Sequence, residues 1–152
     1  MSASQKPTST LEEFTTEAID AHYVERRWND WSNRVKALYQ QVRQWLNPDL
    51  ACKEGSAIFF QEELMKSTGV PAKQLVSLDI FDGSRRIGGL RPVALWVIGA
   101  NGRIDIDSPS GSYTIVDIAK NFDPPKWEIV PIAGPRKPEG LSRKTFRHLF
   151  VS

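Results

Sequence analysis

The sequence predicts an α+β fold, in which one long N-terminal amphipathic helix packs on a mostly antiparallel sheet and a short helix follows at the C-terminus. Three observations indicate it. An apolar stripe with helical spacing occupies residues 14–46, short alternating segments separated by turn residues follow from residue 55 onward, and a second apolar stripe lies near the C-terminus. A helix, then a run of strands, then a final helix is an element order typical of an α+β domain.

The long helix is predicted by apolar residues at spacings of three, four and seven, which place them on one face. They are Phe14, Ala21, Val24, Trp28, Trp31, Val35, Leu38, Val42 and Trp45, with Tyr39 and Leu46 beside them. Thr10 with Glu13 fits a capping box and Thr16 offers an alternative start, whereas Asn47-Pro48 ends the helix because proline cannot continue its hydrogen-bond ladder. The opposite, polar face carries Arg26, Arg27, Asn33, Arg34, Lys36, Gln40 and Arg43.

Two arrangements would bury this stripe: a homodimeric coiled coil, or a sheet formed by the same chain. Dimeric coiled coils prefer branched aliphatic residues in their seam. Trp28, Trp31 and Trp45 are too bulky to repeat comfortably across such a seam, whereas a sheet accepts large flat rings. We therefore expect the helix to lie on the sheet.

Strands are predicted wherever apolar and polar residues alternate between turn signals. They cover residues 57–65, 74–81, 86–90, 93–100, 103–107, 113–118 and 127–132. The first has a glutamate-rich end that could instead be helical, and Pro131 places the last at a sheet edge, because proline lacks the N–H that a central strand donates. Ser142 is expected to cap the final helix, whose apolar stripe consists of Phe146, Leu149 and Phe150.

The clearest hairpin signal is Asn101-Gly102, the residue pair preferred in type I′ turns. A two-residue turn there would pair Ala100 with Arg103 and sort the flanking residues onto two faces. The face predicted to enter the core carries Leu95, Val97, Gly99, Ile104 and Ile106. The face predicted to contact water carries Trp96, Ile98, Arg103, Asp105 and Asp107.

The composition is that of an ordinary globular protein of 152 residues with a formal net charge of +2. Residues 1–9 are expected to form a disordered arm and residues 10–152 a single domain. Cys52 is the one cysteine, so no intrachain disulfide can form, and with only His22 and His148 no zinc cluster of the usual spacing can be written. Neither a membrane-spanning run nor a signal segment is visible, so we expect a cytoplasmic protein without membrane contact.

Nucleotide-binding and hydrolase motifs are absent from the sequence, so no cofactor is predicted. Asp105 and Asp107 form the best carboxylate pair, because alternate residues of a strand point to the same side, about 7 Å apart. Two such carboxylates could hold Mg²⁺ in a nuclease or phosphohydrolase. The favoured interpretation is that both keep an exposed face soluble, with Arg103 paired to Asp105, since Lys120 does not match a nuclease signature.

A basic C-terminal segment could instead follow a phosphate backbone, which makes nucleic-acid binding an alternative function. The segment comprises Arg136, Lys137, Arg143, Lys144 and Arg147, with His148 beside them. Phe146 and Phe150 lie among these bases and could equally belong to the core. The bases of the long helix are interrupted by Glu25 and Asp30, so we interpret them as a solvated helix face.

The leading functional hypothesis is a small non-enzymatic interaction protein, meaning an accessory, inhibitor, antitoxin or immunity-type subunit that binds a protein partner. Trp96 and Ile98 are the predicted centre of the partner site, bordered by Arg103 and Asp105, because an exposed aromatic beside charges has the composition of a binding hot spot. If the predicted pairing holds, Trp96 cannot share the core face with Val97. Either the C-terminal helix or a partner must then cover it.

Overall fold

The computed structural model describes residues 19–134 and 137–151, and this part of the chain is α+β, as predicted. Its helices are α1 (Ala21–Trp45), α2 (Glu63–Thr68) and α3 (Arg143–Leu149). Its strands are β1 (Ala51–Phe60), β2 (Lys73–Asp82), β3 (Arg85–Val97), β4 (Ala100–Ser108), β5 (Gly111–Asp117), β6 (Trp127–Pro131) and β7 (Glu139–Gly140). The predicted arm at residues 1–9, the helix starts at Thr10 and Thr16, and Phe14 lie outside the described residues.

The strands form one seven-stranded sheet in which sequence neighbours pair, in the order β1-β2-β3-β4-β5-β6-β7. Every pair is antiparallel, which confirms the predicted sheet type. The segments predicted at 86–90 and 93–100 belong to one strand, β3, which has 13 residues and ends at Val97. Residues 57–65 divide between two elements, because β1 runs to Phe60 and α2 begins at Glu63.

Helix α1 begins and ends at recognisable signals. Asp20 is its N-cap and accepts a hydrogen bond from the Tyr23 N–H at 3.0 Å. The helix ends at Trp45, with Leu46 as C-cap, directly before Asn47-Pro48 as predicted. Of the helices in the two described ranges, none is long and apolar enough to cross a membrane.

Helix α1 packs on one face of the sheet, which confirms the arrangement favoured over a coiled coil. The buried stripe consists of Val24, Trp28, Trp31, Val35, Leu38 and Val42. Trp31 is fully buried and packs against the backbone of Gly102 in β4. The Tyr39 hydroxyl donates to the Val76 carbonyl of β2 at 2.6 Å. A glycine at 102 is therefore required by close approach of the helix to the sheet.

Two arginines assigned to the polar face of the helix are buried, so that part of the prediction is wrong. Arg27 and Arg34 have 7 % and 5 % of their surface exposed, whereas the other members of that face remain exposed. Both flank the apolar stripe, and a long side chain on the flank can bury its methylene stem while its guanidinium reaches a polar group elsewhere.

The turn predicted at Asn101-Gly102 is also wrong, because the chain reverses three residues earlier, at Ile98-Gly99. Val97 pairs with Ala100, and Trp96 pairs with Asn101. Gly99 and Gly102 both have a positive φ, of 80° and 99° respectively. Among the described residues other than glycine, Phe122 alone has a positive φ. Either glycine could have supplied a turn, but Gly102 is needed beside Trp31 and the Asn101 side chain has partners in the interior.

The faces predicted for β4 are correct although the turn is not. Ile104 and Ile106 are buried on the helix side, and Arg103, Asp105 and Asp107 lie on the opposite, open side. In β3 an irregularity between Pro92 and Ala94 leaves Val93 exposed and returns Leu95 to the core. A bulge of this kind shifts the alternation by one residue, so that Leu90 and Pro92 before it and Leu95 after it all enter the core.

Helix α3 completes the core on the same side of the sheet as α1. Ser142 caps it in a capping box with Thr145, as expected for its N-cap position. Phe146 and Phe150 are buried, with Phe146 6.0 Å from the Trp45 ring and Phe150 close to Gly88. Gly88 is roughly 25 Å along β3 from Trp96 by strand rise, so α3 does not cover that tryptophan.

Candidate functional site

One end of the sheet carries a pocket of about 580 Å³. It is bordered by the β3–β4 turn on one side and by the segment that follows β5 on the other. The lining consists of Arg27, Trp96, Val97, Ile98, Gly99, Ala100, Asn101, Ile118, Ala119, Lys120 and Asn121. We call this surface the hairpin-end pocket. Its volume is in the range of ordinary ligand sites.

Arg27 brings a buried positive charge to this pocket from the first half of α1. Its Nη1 donates to the Tyr23 hydroxyl at 3.1 Å, and its Nη2 donates to Oδ1 of Asn101 at 3.0 Å. Both acceptors are neutral, and Arg27 forms no ion pair with any carboxylate of the described residues. A buried guanidinium without a counter-charge is unusual, because desolvating an ion costs several kcal/mol that neutral acceptors offset only in part.

Asn101 holds the Arg27 guanidinium in place. Its amide is buried and has two roles, since Oδ1 accepts from Arg27 and Nδ2 donates to the Ala119 carbonyl at 2.7 Å. The Tyr23 hydroxyl also accepts from Nδ2 of Asn121, at 3.2 Å. The hydroxyl oxygen therefore receives two donors, and its own proton remains able to donate to a third group.

Trp96 adds another donor to the hairpin-end pocket. Its ring is half-buried, and its indole Nε1 is buried without a hydrogen-bond partner among the residues that the structure describes. Buried indole N–H groups usually find an acceptor, because an unsatisfied buried donor costs about 1–3 kcal/mol. The Nε1 of Trp31 is unpaired in the same way, so it is the position of Trp96 in the lining of the pocket that makes its N–H a candidate donor to a bound acceptor.

Glu62 fixes the backbone on which Trp96 stands. Strands β2 and β3 pair only as far as Leu78 and Leu90, so the end of β3 has no β2 partner. The Glu62 carboxylate accepts hydrogen bonds from the N–H groups of Leu95 at 2.9 Å and Trp96 at 3.3 Å. Burial raises the pKa of Glu62, and the two backbone hydrogen bonds oppose that rise.

The rim of the pocket is apolar. Ile98, at the first position of the β3–β4 turn, is fully exposed, with a relative accessibility of 106 %. Ile118 faces it from the segment after β5 and is 38 % exposed. Lys120 is the exposed charged residue beside them. The pocket thus combines an apolar rim with donors at its floor.

The four residues predicted to form a partner site are not brought together in this pocket. Trp96 and Ile98 line it, but Arg103 and Asp105 lie on the open face of the sheet. Nε and Nη2 of Arg103 donate to the two carboxylate oxygens of Asp105 at 2.9 and 3.2 Å, and Thr114 donates to Asp105 at 3.2 Å. The predicted pairing of these two charges is confirmed.

Asp107, the second carboxylate of the alternative metal site, also has an arginine partner. Arg86 donates to both of its oxygens, at 3.0 and 3.3 Å, and to Asp79 at 3.1 Å. The hydrogen bond to Asp107 raises the pKa of Arg86 above its ordinary value. Within the described residues no three histidine, cysteine, aspartate or glutamate side chains are grouped to hold a metal ion. The geometry favours a network of charge pairs on the open face.

The basic C-terminal residues lie on a different surface from the pocket. Lys137, Arg143, Lys144 and Arg147 are exposed, and Arg136 lies outside the described residues. Nε of Arg147 donates to the Trp45 carbonyl. Because Phe146 and Phe150 are buried in the core, neither ring is available on this surface for nucleic-acid bases to stack on.

Arg34 is the second buried arginine of α1, and it is fully neutralised. Its Nε donates to Asp30 at 2.6 Å and its Nη1 to Asp117 at 2.7 Å, while its Nη2 contacts the Asp123 carbonyl. Asp117 is completely buried, and its other oxygen accepts from the backbone N–H groups of Ala119 at 3.0 Å and Lys126 at 2.8 Å. This pair anchors the segment that forms one wall of the pocket.

Arg27, Asn101, Glu62 and Asp117 were missed by sequence reasoning. A signal for the arginines existed, because residues 27 and 34 are seven apart and therefore share one helix flank. No local pattern could have identified Asn101 and Asp117, the partners that lie on distant strands.

Comparisons of the chain with protein-family models, with curated proteins and with solved structures find no significant match.

Proposed function

We propose that this chain is a non-enzymatic interaction protein, of accessory or inhibitor type, that binds a protein partner through the hairpin-end pocket and its rim. The observation that carries this proposal is the full exposure of Ile98 beside the half-buried Trp96. Turn positions usually hold glycine, proline, asparagine, aspartate or serine, each for a conformational reason. A branched apolar residue that is fully exposed at such a position contributes no buried surface to the fold.

The energetics of association support the same surface. Complete burial of an isoleucine side chain against a partner is worth about 1.5–3 kcal/mol. Tryptophan is among the residues most enriched in binding hot spots, particularly where neighbouring residues exclude water. Trp96 and Ile98 therefore remain the centre of the proposed site. Arg103 and Asp105 neutralise each other on an exposed face, and such pairs contribute little to affinity.

Affinity capture with matched variants tests the proposal. The Ile98→Ser variant should no longer capture the proteins that the unchanged chain captures. Its melting temperature should stay the same, because the fully exposed Ile98 side chain buries no surface in the fold. Phe59→Ser is the control, since Phe59 is 72 % exposed on β1, the strand at the opposite edge of the sheet from β7. Loss of the same proteins in Phe59→Ser alone would place the interface on β1 and refute the proposal.

A second candidate function is nucleic-acid binding by α3, favoured by the exposure of Arg143, Lys144 and Arg147 on one short helix. Phosphate contacts by lysine and arginine give salt-dependent affinity without sequence preference. An absorbance ratio at the nucleic-acid and protein maxima of the purified protein distinguishes the two candidates. Retained nucleic acid that is released by salt would favour this second function.

A further inference from the structure

We propose that the hairpin-end pocket recognises a carboxylate group presented by the protein partner, with the Arg27 guanidinium as its counter-charge and the Trp96 indole N–H as a second donor. This inference rests on the proposed function and specifies the chemistry of the partner. Either an acidic side chain or a chain terminus of the partner could supply the carboxylate.

The first support is the imbalance of charge at Arg27. Only 7 % of the surface of Arg27 is exposed, yet the partners of its guanidinium are a hydroxyl and an amide oxygen. A guanidinium carries more N–H donors than these two bonds use, and its fork matches a carboxylate. The acids nearest along the chain are engaged elsewhere, because Glu25 pairs with Lys73 at 2.8 Å and Asp30 pairs with Arg34 at 2.6 Å.

The second support is that the polar groups around Arg27 have donors to spare. The Trp96 Nε1 has no acceptor among the described residues, and the Tyr23 hydroxyl already accepts twice, so its proton remains available to donate. Asn101 and Asn121 use one amide N–H each in the contacts described above. A site that offers several donors, a positive charge and no carboxylate of its own is complementary to an anion.

The third support concerns the kind of anion. The pocket contains Val97, Ile98, Ala100 and Ile118 in addition to its donors, and Lys120 is the one lysine in its lining. A nucleic acid or other polyanion requires a run of cationic side chains along its phosphates. A single buried arginine within an apolar rim instead suits one carboxylate carried on an apolar segment, as a peptide presents it.

Nuclear magnetic resonance of the Trp96 indole N–H tests this directly, with sodium butyrate as a probe that joins a carboxylate to a short apolar tail. We expect a saturable shift of that resonance with a Kd of roughly 1–10 mM, the weak affinity of a fragment with few atoms. Arg27→Gln should weaken butyrate binding by about tenfold or more. Arg43→Gln, which removes an exposed arginine from the same helix, should leave it unchanged.

Three outcomes would overturn the inference. They are a shift that does not saturate, a shift that persists unchanged in Arg27→Gln, and a shift that inorganic phosphate produces at lower concentration than butyrate. Should Arg27→Gln not fold, Trp96→Phe serves as a second variant, because it keeps the ring, removes the N–H and should weaken butyrate binding measured by calorimetry. Unchanged affinity in Trp96→Phe would remove the indole from the proposed site.

Failure of this inference is distinguishable from failure of the proposed function. If Ile98→Ser loses the captured partner but Arg27→Gln keeps it, the interface stands and carboxylate recognition is wrong. If butyrate binds to the pocket but neither substitution changes capture, the anion site stands and the proposed interface is wrong. Loss of capture in both variants, with saturable butyrate binding, is the result that we expect.

Discussion

Arg27 and Arg34 of α1 are seven residues apart and almost equally buried, but they differ in the charge of the groups that their guanidinium groups contact. Arg34 meets two carboxylates, those of Asp30 and Asp117, whereas Arg27 meets only the neutral oxygens of Tyr23 and Asn101. The difference separates a charge that stabilises the fold from a charge that is kept available. Because removing one member of a buried ion pair is far more costly than removing an unpaired charge, stability measurements can distinguish the two roles.

The largest effect is expected at the paired arginine. Arg34→Met should lower the free energy of unfolding by about 3–5 kcal/mol, because it leaves the fully buried Asp117 without a counter-charge. Denaturant titration measures this loss. Lys36→Met, on an exposed position of the same helix, is the control and should change stability by less than about 0.5 kcal/mol. Equal, small effects of both substitutions would mean that the Asp117 pair does not stabilise the fold.

Between the two arginines, Trp31 of α1 packs on the backbone of Gly102. Gly102→Val should destabilise by about 3 kcal/mol, combining overpacking against the indole with a branched residue at positive φ. Gly99→Val meets the same conformational strain in open space and should cost about 1–2 kcal/mol. If the two substitutions have equal effects on the melting temperature, helix and sheet do not approach closely at Gly102.

A smaller effect is expected at the backbone that carries Trp96. Glu62→Gln should cost about 1 kcal/mol, because a glutamine has one acceptor oxygen for two backbone N–H groups. Since burial raises the pKa of Glu62, the folded protein keeps its carboxyl proton to a higher pH than the unfolded chain does. The stability linked to that proton is present at low pH and disappears as the pH rises through the raised pKa.

The difference in unfolding free energy between the unchanged chain and Glu62→Gln should therefore narrow as the pH rises through the weakly acidic range. Urea titrations at several pH values measure it, and Glu63→Gln, at the exposed neighbouring position, is the control. A difference that widens with pH would indicate a lowered pKa and a Glu62 environment dominated by its two hydrogen bonds.

The sequence predicts the elements of this fold well and the site only in part. The stripe around Trp31, the capped α3 and the alternation of Ile104 with Ile106 follow from local periodicity, which each segment carries by itself. The turn at Ile98-Gly99 does not, because Asn101-Gly102, three residues later, has the stronger local preference for a turn. The choice depended on the space that Trp31 needs beside Gly102.

The pocket depends on contacts between residues distant in sequence. Arg27 with Asn101 and Arg34 with Asp117 are separated by 74 and 83 residues, so no local pattern links them. Periodicity assigned both arginines to a polar face, because it records where a side chain leaves the helix and not how far it reaches. Trp96 and Ile98 were recognised as out of place for a buried face, and both line the hairpin-end pocket.

The central claim, that Arg27 carries a charge not needed by the fold, is tested most directly by comparing Arg27→Met with Arg34→Met in the same denaturant titration. We predict that Arg27→Met changes the free energy of unfolding by less than about 1 kcal/mol, since relief of a desolvated charge offsets two lost hydrogen bonds to neutral acceptors. Arg34→Met should cost at least about 3 kcal/mol. A loss of similar size in both variants would show that Arg27 is a structural residue and would contradict the account.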